Sequence, residues 1–373
     1  MIDFLTLKNY KTFEFLALGQ FSRFTLLGGM NDVGKTSILT AIYIYTARLQ
    51  PAMANLAAMR SQNSPNWAET YFHGFSPSAE KQIEIDVVWS GMRGRVEIQF
   101  DLAVQVGALL DSGLQNRLPE HHPASVLDPS RVAAEFGLMS GEQNLQALRM
   151  RWFEGDEQKS DIYWMLPPAK PGMYVKYSLP GLPSPSALLF PFMRELPDAA
   201  ARSLSELVKA GAAAAEIIAH VKMLFPHIRD LTPVLTEPGK GTVLADVGLP
   251  KPVPISELGE GAKEALNLML TIPRIRGGVL LCDELGAGIH ASILPRFVQS
   301  IAAIARKYDC QIIATTHSYE LLSAAYDAFA QDGMNHGDLT YVRLDRTSPE
   351  TVLPTVFNYE KLGIALSNDW EVR

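Results

Sequence analysis

Cysteine is nearly missing from this chain. Only Cys282 and Cys310 occur, far apart and each within an apolar run. Two thiols so placed make no disulfide framework and point to a reducing compartment. Long hydrophobic runs are missing too. No stretch reaches the ~18 apolar residues of a spanning helix, and Met1-Ile2-Asp3-Phe4-Leu5-Thr6 lacks the charged start and apolar core of a secretion signal. The expectation is a soluble, cytoplasmic protein with no membrane partner. Positive charge is not in excess: 33 Lys and Arg face 40 Asp and Glu, a net charge of −7. That balance argues against a protein-wide nucleic-acid footprint and leaves only a local basic patch open. Internal repeats are absent. What remains is 373 residues, 47% of them hydrophobic. They suffice for one large α/β domain, or for a core domain with a subdomain.

The most informative stretch that is present is Gly29-Met30-Asn31-Asp32-Val33-Gly34-Lys35-Thr36, a G-x-x-x-x-G-K-T pattern. Its glycines let the backbone curl so that successive N–H groups point at a polyphosphate. Gly29, Asn31, Asp32, Val33, Gly34, Lys35, Thr36 and Ser37 form the candidate cradle. Lys35 can bridge terminal phosphates, and the Thr36 hydroxyl is placed to ligate Mg²⁺. Phe24-Thr25-Leu26-Leu27 before it reads as a strand, and Ser37 to Tyr43 after it begins a helix. The loop therefore feeds a helix N-terminus, which favours anions.

Residues 1–30 alternate apolar and polar, as an antiparallel strand pair leading into the loop strand. A helix is expected over 36–50 and another within 51–80. Ile83 to Trp89 and Gly94 to Phe100 alternate around Ser90-Gly91 as a hairpin. Residues 103–180 are punctuated by Pro and Gly and are hard to read. Residues 186–230 turn helical, with Ala210 to Ala214 joining two helices or marking a close contact; Pro and Gly break any long coiled coil. Strand pieces are expected over 228–255. A helix over Ser256–Leu270, a strand over Gly278–Cys282, a helix over His290–Tyr308, a strand over Gln311–Thr316, a helix over Ser318–Phe329 and a strand over Leu339–Leu344 follow. This alternation predicts a mainly parallel sheet.

Three further signals lie in that half. Val279-Leu280-Leu281-Cys282 is a buried strand whose end carries Asp283 and Glu284, where open α/β sheets bind ligands. Asp283 would hold Mg²⁺ and Glu284 would polarise a water; a solvated acidic turn is the competing reading. Ala314-Thr315-Thr316-His317-Ser318 ends a second buried strand, so His317 can reach the γ-phosphate or position the water. Ser256-Glu257-Leu258-Gly259-Glu260-Gly261-Ala262-Lys263 opens an amphipathic helix as an anion site, or as an ordinary helix start capped by Ser256.

In this order the four signals resemble the ATP-binding-cassette ATPases, and most closely the overcoming-lysogenization-defect (OLD) and RecF-like branch, relatives of structural-maintenance-of-chromosomes (SMC) heads. The resemblance covers roughly residues 1–45 and 253–373. Asp283-Glu284-Leu285-Gly286-Ala287-Gly288-Ile289-His290 is similar to that branch's Walker B and D-loop, Thr315 to Leu321 to its H-loop, and Asn368 to Arg373 to its closing segment. It implies an α/β ATPase head with a mainly parallel P-loop sheet, an antiparallel β lobe and a short helical arm. Residues 1–100 and 253–373 would be its two halves, and 101–252 an insertion. It also implies ATP and Mg²⁺ as cofactors, with Lys35, Glu284 and His317 catalytic and Thr36 and Asp283 on the metal. Gly259, Glu260 and Gly261 would be a signature loop contacting ATP held by another subunit of a homo-oligomer. Two departures stand out: Gly259 falls where the signature serine is usual, and Gln82 is only a weak Q-loop candidate.

The resemblance further implies a stand-alone ATPase, without room for a Toprim nuclease, that works with a separate nuclease or toxin in anti-phage defence, triggered by DNA or a phage protein. A RecF-like DNA-binding repair ATPase and a transport ATPase subunit are the alternatives. Glu120-His121-His122 reads as a solvated loop, because adjacent His point apart and no further ligand is near. Arg93-Gly94-Arg95 reads as a hairpin turn with basic residues in solvent.

Overall fold

The computed structural model describes residues 1–46, 82–104, 145–166, 187–190, 197–209, 211–237, 240–348 and 351–368. The helix expected within 51–80, the Glu120-His121-His122 triplet and residues 369–373 lie outside them. β1 (Ile2–Tyr10) and β2 (Phe13–Gly19) pair antiparallel, β3 (Phe24–Gly29) enters a second sheet, and α1 (Lys35–Thr46) follows. β4 (Gln82–Trp89) and β5 (Met92–Val104) form the hairpin. Ser90 and Gly91 both have positive φ (49° and 79°), as a two-residue turn matched to strand twist requires. With β6 (Leu145–Glu154) and β7 (Glu157–Leu166) they complete an antiparallel sheet in the order β2-β1-β4-β5-β6-β7.

Ala187–Phe190 is a strand, β8, and not the start of a helix. Four apolar residues are too few for a stable helix, and Pro191 directly after Phe190 disfavours helical backbone there. The helical stretch begins at α2 (Pro197–Lys209) and continues, after Gly211 at φ 85°, in α3 (Ala212–Leu224). Proline suits the first turn of α2, where its missing N–H costs nothing. β9 (Asp230–Glu237), β10 (Lys240–Asp246) and β11 (Val253–Pro254) make a small antiparallel sheet.

Ser256 lies in a 3-10 turn, Ile255–Glu257, and does not cap the next helix; Gly259 is the N-cap of α4 (Glu260–Thr271). β12 (Val279–Cys282) follows, and then α5 (Leu294–Lys307). That helix starts four residues later than the sequence suggests, because Pro295 is tolerated only in a first turn. β13 (Gln311–Thr315), α6 (Tyr319–Phe329) and β14 (Leu339–Arg346) come next. β15 (Val352–Asn358) and α7 (Tyr359–Ser367), the latter capped by the Asn358 side chain, escaped the sequence reading, as did β6, β7 and β8.

The second sheet runs β15-β14-β3-β13-β12-β8, parallel except for β15. β3, β12 and β13 are buried on both faces, and the two faces feed different cores. Val279, Leu281, Ile313 and Leu27 join α1 and the inner face of the antiparallel sheet. Leu280, Cys282, Ile312 and Leu26 join α2 to α7 on the other side. α1 is thus sandwiched between two sheets, which is why Ile38 to Thr46 are all buried and the helix shows no polar face. Gln311, itself buried, ties the sheets together: it accepts from the Ile2 N–H at 2.7 Å and donates to the Ile2 and Ser22 carbonyls at 3.0 Å.

Candidate functional site

β3, β13 and β12 are parallel and in register, so the segments that follow them emerge side by side at one edge of the sheet. The loop after β3 bends through Gly29 (φ 125°), Asp32 (φ 61°) and Gly34 (φ 104°). A Cβ on Gly29 would strike the Leu344 carbonyl, and one on Gly34 would strike Phe13 and Thr12 of the β1–β2 turn. Only glycine meets both the backbone and the packing demands there. Asp32 keeps its left-handed backbone with its carbonyl accepting from Arg346 at 2.8 Å. Val33 is buried, while Asn31, Asp32 and Thr36 are exposed.

Lys35, the first residue of α1, donates through Nζ to the Gly29 and Met30 carbonyls at 2.7 and 2.9 Å. Burial is the largest influence on this ammonium and lowers its pKa; Asp283, Glu284 and Asp32 pull the other way. The Thr36 hydroxyl donates to Asp283, 2.9 Å from Oδ2 and 3.1 Å from Oδ1. Ser37 turns its carbonyl to the Thr40 hydroxyl within α1.

Beyond β12, Glu284 has φ 55°, a left-handed backbone that is costly for a non-glycine residue and recurs at functional sites. Its carboxylate is exposed and lies 3.7 Å from His317 Nδ1, which follows β13. Ser318 caps α6, accepting from the Leu321 N–H at 3.1 Å, and this fixes where the chain turns after His317. Lys35, Thr36, Asp283, Glu284 and His317 therefore share one edge.

The start of α4 sits elsewhere. A Cβ on Gly261 would lie 2.6 Å from the Gly288 carbonyl oxygen and 3.2 Å from Ile289 Cα, so helix and loop are in close backbone contact. Glu264, buried on α4, accepts from the Gly286 N–H at 3.1 Å. Gly259 and Glu260 are exposed. Gly259 has φ −60° and ψ 150°, which any residue adopts, and a Cβ there would meet nothing within 4 Å.

Gln82 opens β4, where its side chain accepts from Arg151 at 3.1 Å and its carbonyl from Asn9 at 2.9 Å. Arg93 is exposed and pairs with Asp86, whereas Arg95 lies against the Phe153 ring and beside Glu97. Sequence reasoning missed Thr12, Phe13, Glu264 and Arg346. All four act through contacts distant in the chain.

Residues 167–323 match a family model described as "AAA domain, putative AbiEii toxin, Type IV TA system". Over 88 residues the chain is 33% identical to the uncharacterized protein MJECL11 of Methanocaldococcus jannaschii, which spans 24% of this chain and 76% of that protein. An SMC head bound to the C-winged helix domain of ScpA aligns over 97% of this chain and 99% of its own, with TM-score 0.53 and 14% identity. An Smc head with an extended coiled coil, bound to the C-terminal domain of ScpA derived from Pyrococcus furiosus, aligns over 99% of each chain, with TM-score 0.50 and 14% identity. At that identity the likeness is one of fold alone, the mixed α/β fold of an SMC head. The chain belongs to the family of the archaeal protein and carries an AAA-type ATPase domain. Nucleotide binding goes with such a domain.

The edge of this ATPase domain suits a magnesium nucleotide. The loop, curled through Gly29, Asp32 and Gly34, delivers the chain to the N-terminus of α1, which favours anions. Thr36 and Asp283 offer a hydroxyl and a carboxylate within 3 Å of each other, hard oxygen donors of the kind Mg²⁺ prefers. Among the described residues no group of three or more His, Cys, Asp or Glu could hold a metal alone. Magnesium on a nucleotide needs no such cage, since phosphates and waters complete its shell. No described helix is long and apolar enough to cross a membrane.

Proposed function

We propose that this chain is an ATP-hydrolysing switch of the OLD and RecF-like branch, acting in the cytoplasm. In this reading it closes head to head in a homo-oligomer and controls a separate nuclease or toxin in anti-phage defence. The observation that carries the hydrolytic part is the convergence of Lys35, Thr36, Asp283, Glu284 and His317 on one sheet edge. Lys35 would hold the terminal phosphates, and Thr36 with Asp283 would hold Mg²⁺. Bound Mg²⁺ supplies charge neutralisation at the phosphate oxygens. Glu284 would orient a water in line with the γ-phosphate and draw its proton, with His317 steadying the carboxylate. Such catalysis is mostly positioning and electrostatic stabilisation.

Closure between subunits is supported by the exposed Gly259–Glu260 start of α4, whose first N–H groups suit an anion brought by another copy. Control of an effector is supported by the toxin–antitoxin description of the matched family model. The test is phosphate release by the wild-type chain and by Lys35→Ala, together with recovery of whatever binds Glu284→Gln in ATP. Release by the wild type alone, with a nuclease or toxin retained by Glu284→Gln, supports the reading. Equal release by Lys35→Ala refutes the active site, and an ATP-loaded Glu284→Gln that retains nothing refutes the effector role.

A second reading, a RecF-like repair ATPase, is favoured by the SMC-head fold. It predicts hydrolysis stimulated by duplex DNA with a steep salt dependence. Rates unchanged by DNA at low salt would count against it.

A further inference from the structure

Thr315 is the last residue of β13, the strand between β3 and β12, and is fully buried. Its hydroxyl donates to Asp283 Oδ1 at 2.5 Å and accepts from the Glu284 N–H at 2.8 Å. Its carbonyl accepts from the Leu285 N–H at 3.0 Å. One residue thus grips three consecutive residues of the neighbouring loop. Asp283 Oδ1 is shared, because the Thr36 hydroxyl donates to the same carboxylate from the other side. The carboxylate plane is therefore fixed between two hydroxyls, one from α1 and one from β13.

The second bond falls where the backbone is strained. Glu284 is held at φ 55°, and the group that meets its N–H is the Thr315 hydroxyl, not another strand's carbonyl. A hydroxyl has one hydrogen and two lone pairs. Here the hydrogen goes to Asp283 and a lone pair to Glu284, so a single atom sets the side chain of one and the backbone of the other. Valine has nearly the same shape and can do neither.

Resting on the ATPase reading above, we infer that Thr315 is a positioning residue. It orients Asp283 for the metal and holds Glu284 in the left-handed conformation that points its carboxylate towards His317. Sequence offered no sign of this, since Thr315 reads as the end of an apolar strand.

The test compares Thr315→Val and Thr315→Ser with the wild-type chain. Four quantities are read: kcat and KM for ATP, the Mg²⁺ midpoint for binding a fluorescent ATP analogue, and binding of that analogue in EDTA. Thr315→Val is expected to lower kcat and raise the Mg²⁺ midpoint by about 10- to 100-fold, the usual effect of losing a group that orients a metal ligand. Binding in EDTA should be unchanged, because the loop and Lys35 are untouched. Thr315→Ser keeps the hydroxyl and should restore most of both losses.

A Thr315→Val chain with wild-type kcat and Mg²⁺ midpoint overturns the inference. So does a Thr315→Ser chain as impaired as Thr315→Val, which would assign the loss to packing. If Thr315→Val fails to fold, Thr315→Ala is read in the same way against Thr315→Ser. A wild-type chain that binds no magnesium nucleotide refutes the ATPase reading itself. A wild-type chain that hydrolyses ATP while Thr315→Val equals it refutes only the role of Thr315.

Discussion

The Thr36 hydroxyl lies 2.9 Å from a carboxylate oxygen of Asp283, 247 positions away in sequence. That bond joins the first turn of α1 to the end of β12, although β13 separates β3 from β12 in the sheet. Replacing Asp283 with Asn keeps the shape and removes the charge. Binding of a magnesium nucleotide should then weaken by about 10-fold or more, with binding in EDTA little changed. Titrating Mg²⁺ against a fluorescent nucleotide measures both, and an unchanged Mg²⁺ midpoint would remove Asp283 from the metal site.

Lys35 is partly buried and donates to two carbonyls of its own loop. A phosphate would offer it a charged partner in place of neutral ones, and charge-assisted bonds are the stronger kind. Lys35→Ala should therefore cost about 10- to 100-fold in ATP affinity, as expected for one hydrogen bond to a charged group. Isothermal titration decides this, and an unaltered affinity would contradict the assignment.

Gly259 and Gly261 are two positions apart and should respond oppositely to substitution. A side chain at Gly261 meets backbone at 2.6 Å, so Gly261→Ala should cost about 1–3 kcal/mol and loosen α4 from the loop at Gly288. Gly259→Ser enters open space at an N-cap and should be neutral or stabilise by a few tenths of a kcal/mol. Chemical denaturation of the two variants checks the contrast. If ATP is bound between subunits, the added hydroxyl should also raise the turnover of Gly259→Ser.

His220 joins α3 to α5 through a 3.1 Å bond between its Nδ1 and the Ser300 hydroxyl, and burial lowers its pKa from the ordinary 6.5. The unfolded chain then takes up a proton that the folded chain resists. Stability is unaffected well above pH 6.5 and falls as pH drops through that value. His220→Gln should flatten this part of the curve. Urea midpoints measured between pH 5 and 8, roughly the span in which histidine titrates, would show it.

The loop at Gly29–Thr36, the acidic pair after β12 and His317 after β13 were all legible, because each is a polar cluster ending an apolar strand. The order of those strands was not. Val279–Cys282 and Gln311–Thr315 are buried on both faces, so their residues carry no mark of which neighbour they pair with. β8 was missed because four apolar residues between prolines have no period to read. The grip of Thr315 on Asp283 and Glu284, and the cover of Thr12 and Phe13 over Gly34, depend on tertiary contacts that leave no local pattern. The Ser256 cap failed because a 3-10 turn consumes that serine before α4 begins.

The central claim is that Gly29–Thr36 of one chain and the Gly259 end of α4 of another enclose the same ATP. The most direct measurement is the solution mass of the Glu284→Gln chain, by light scattering, with and without MgATP. Losing a general base typically slows turnover by about 10²–10⁴-fold, enough to hold the loaded state. The account predicts a larger assembly with MgATP that reverts when nucleotide is removed. The same mass in both conditions, with ATP bound, would contradict it.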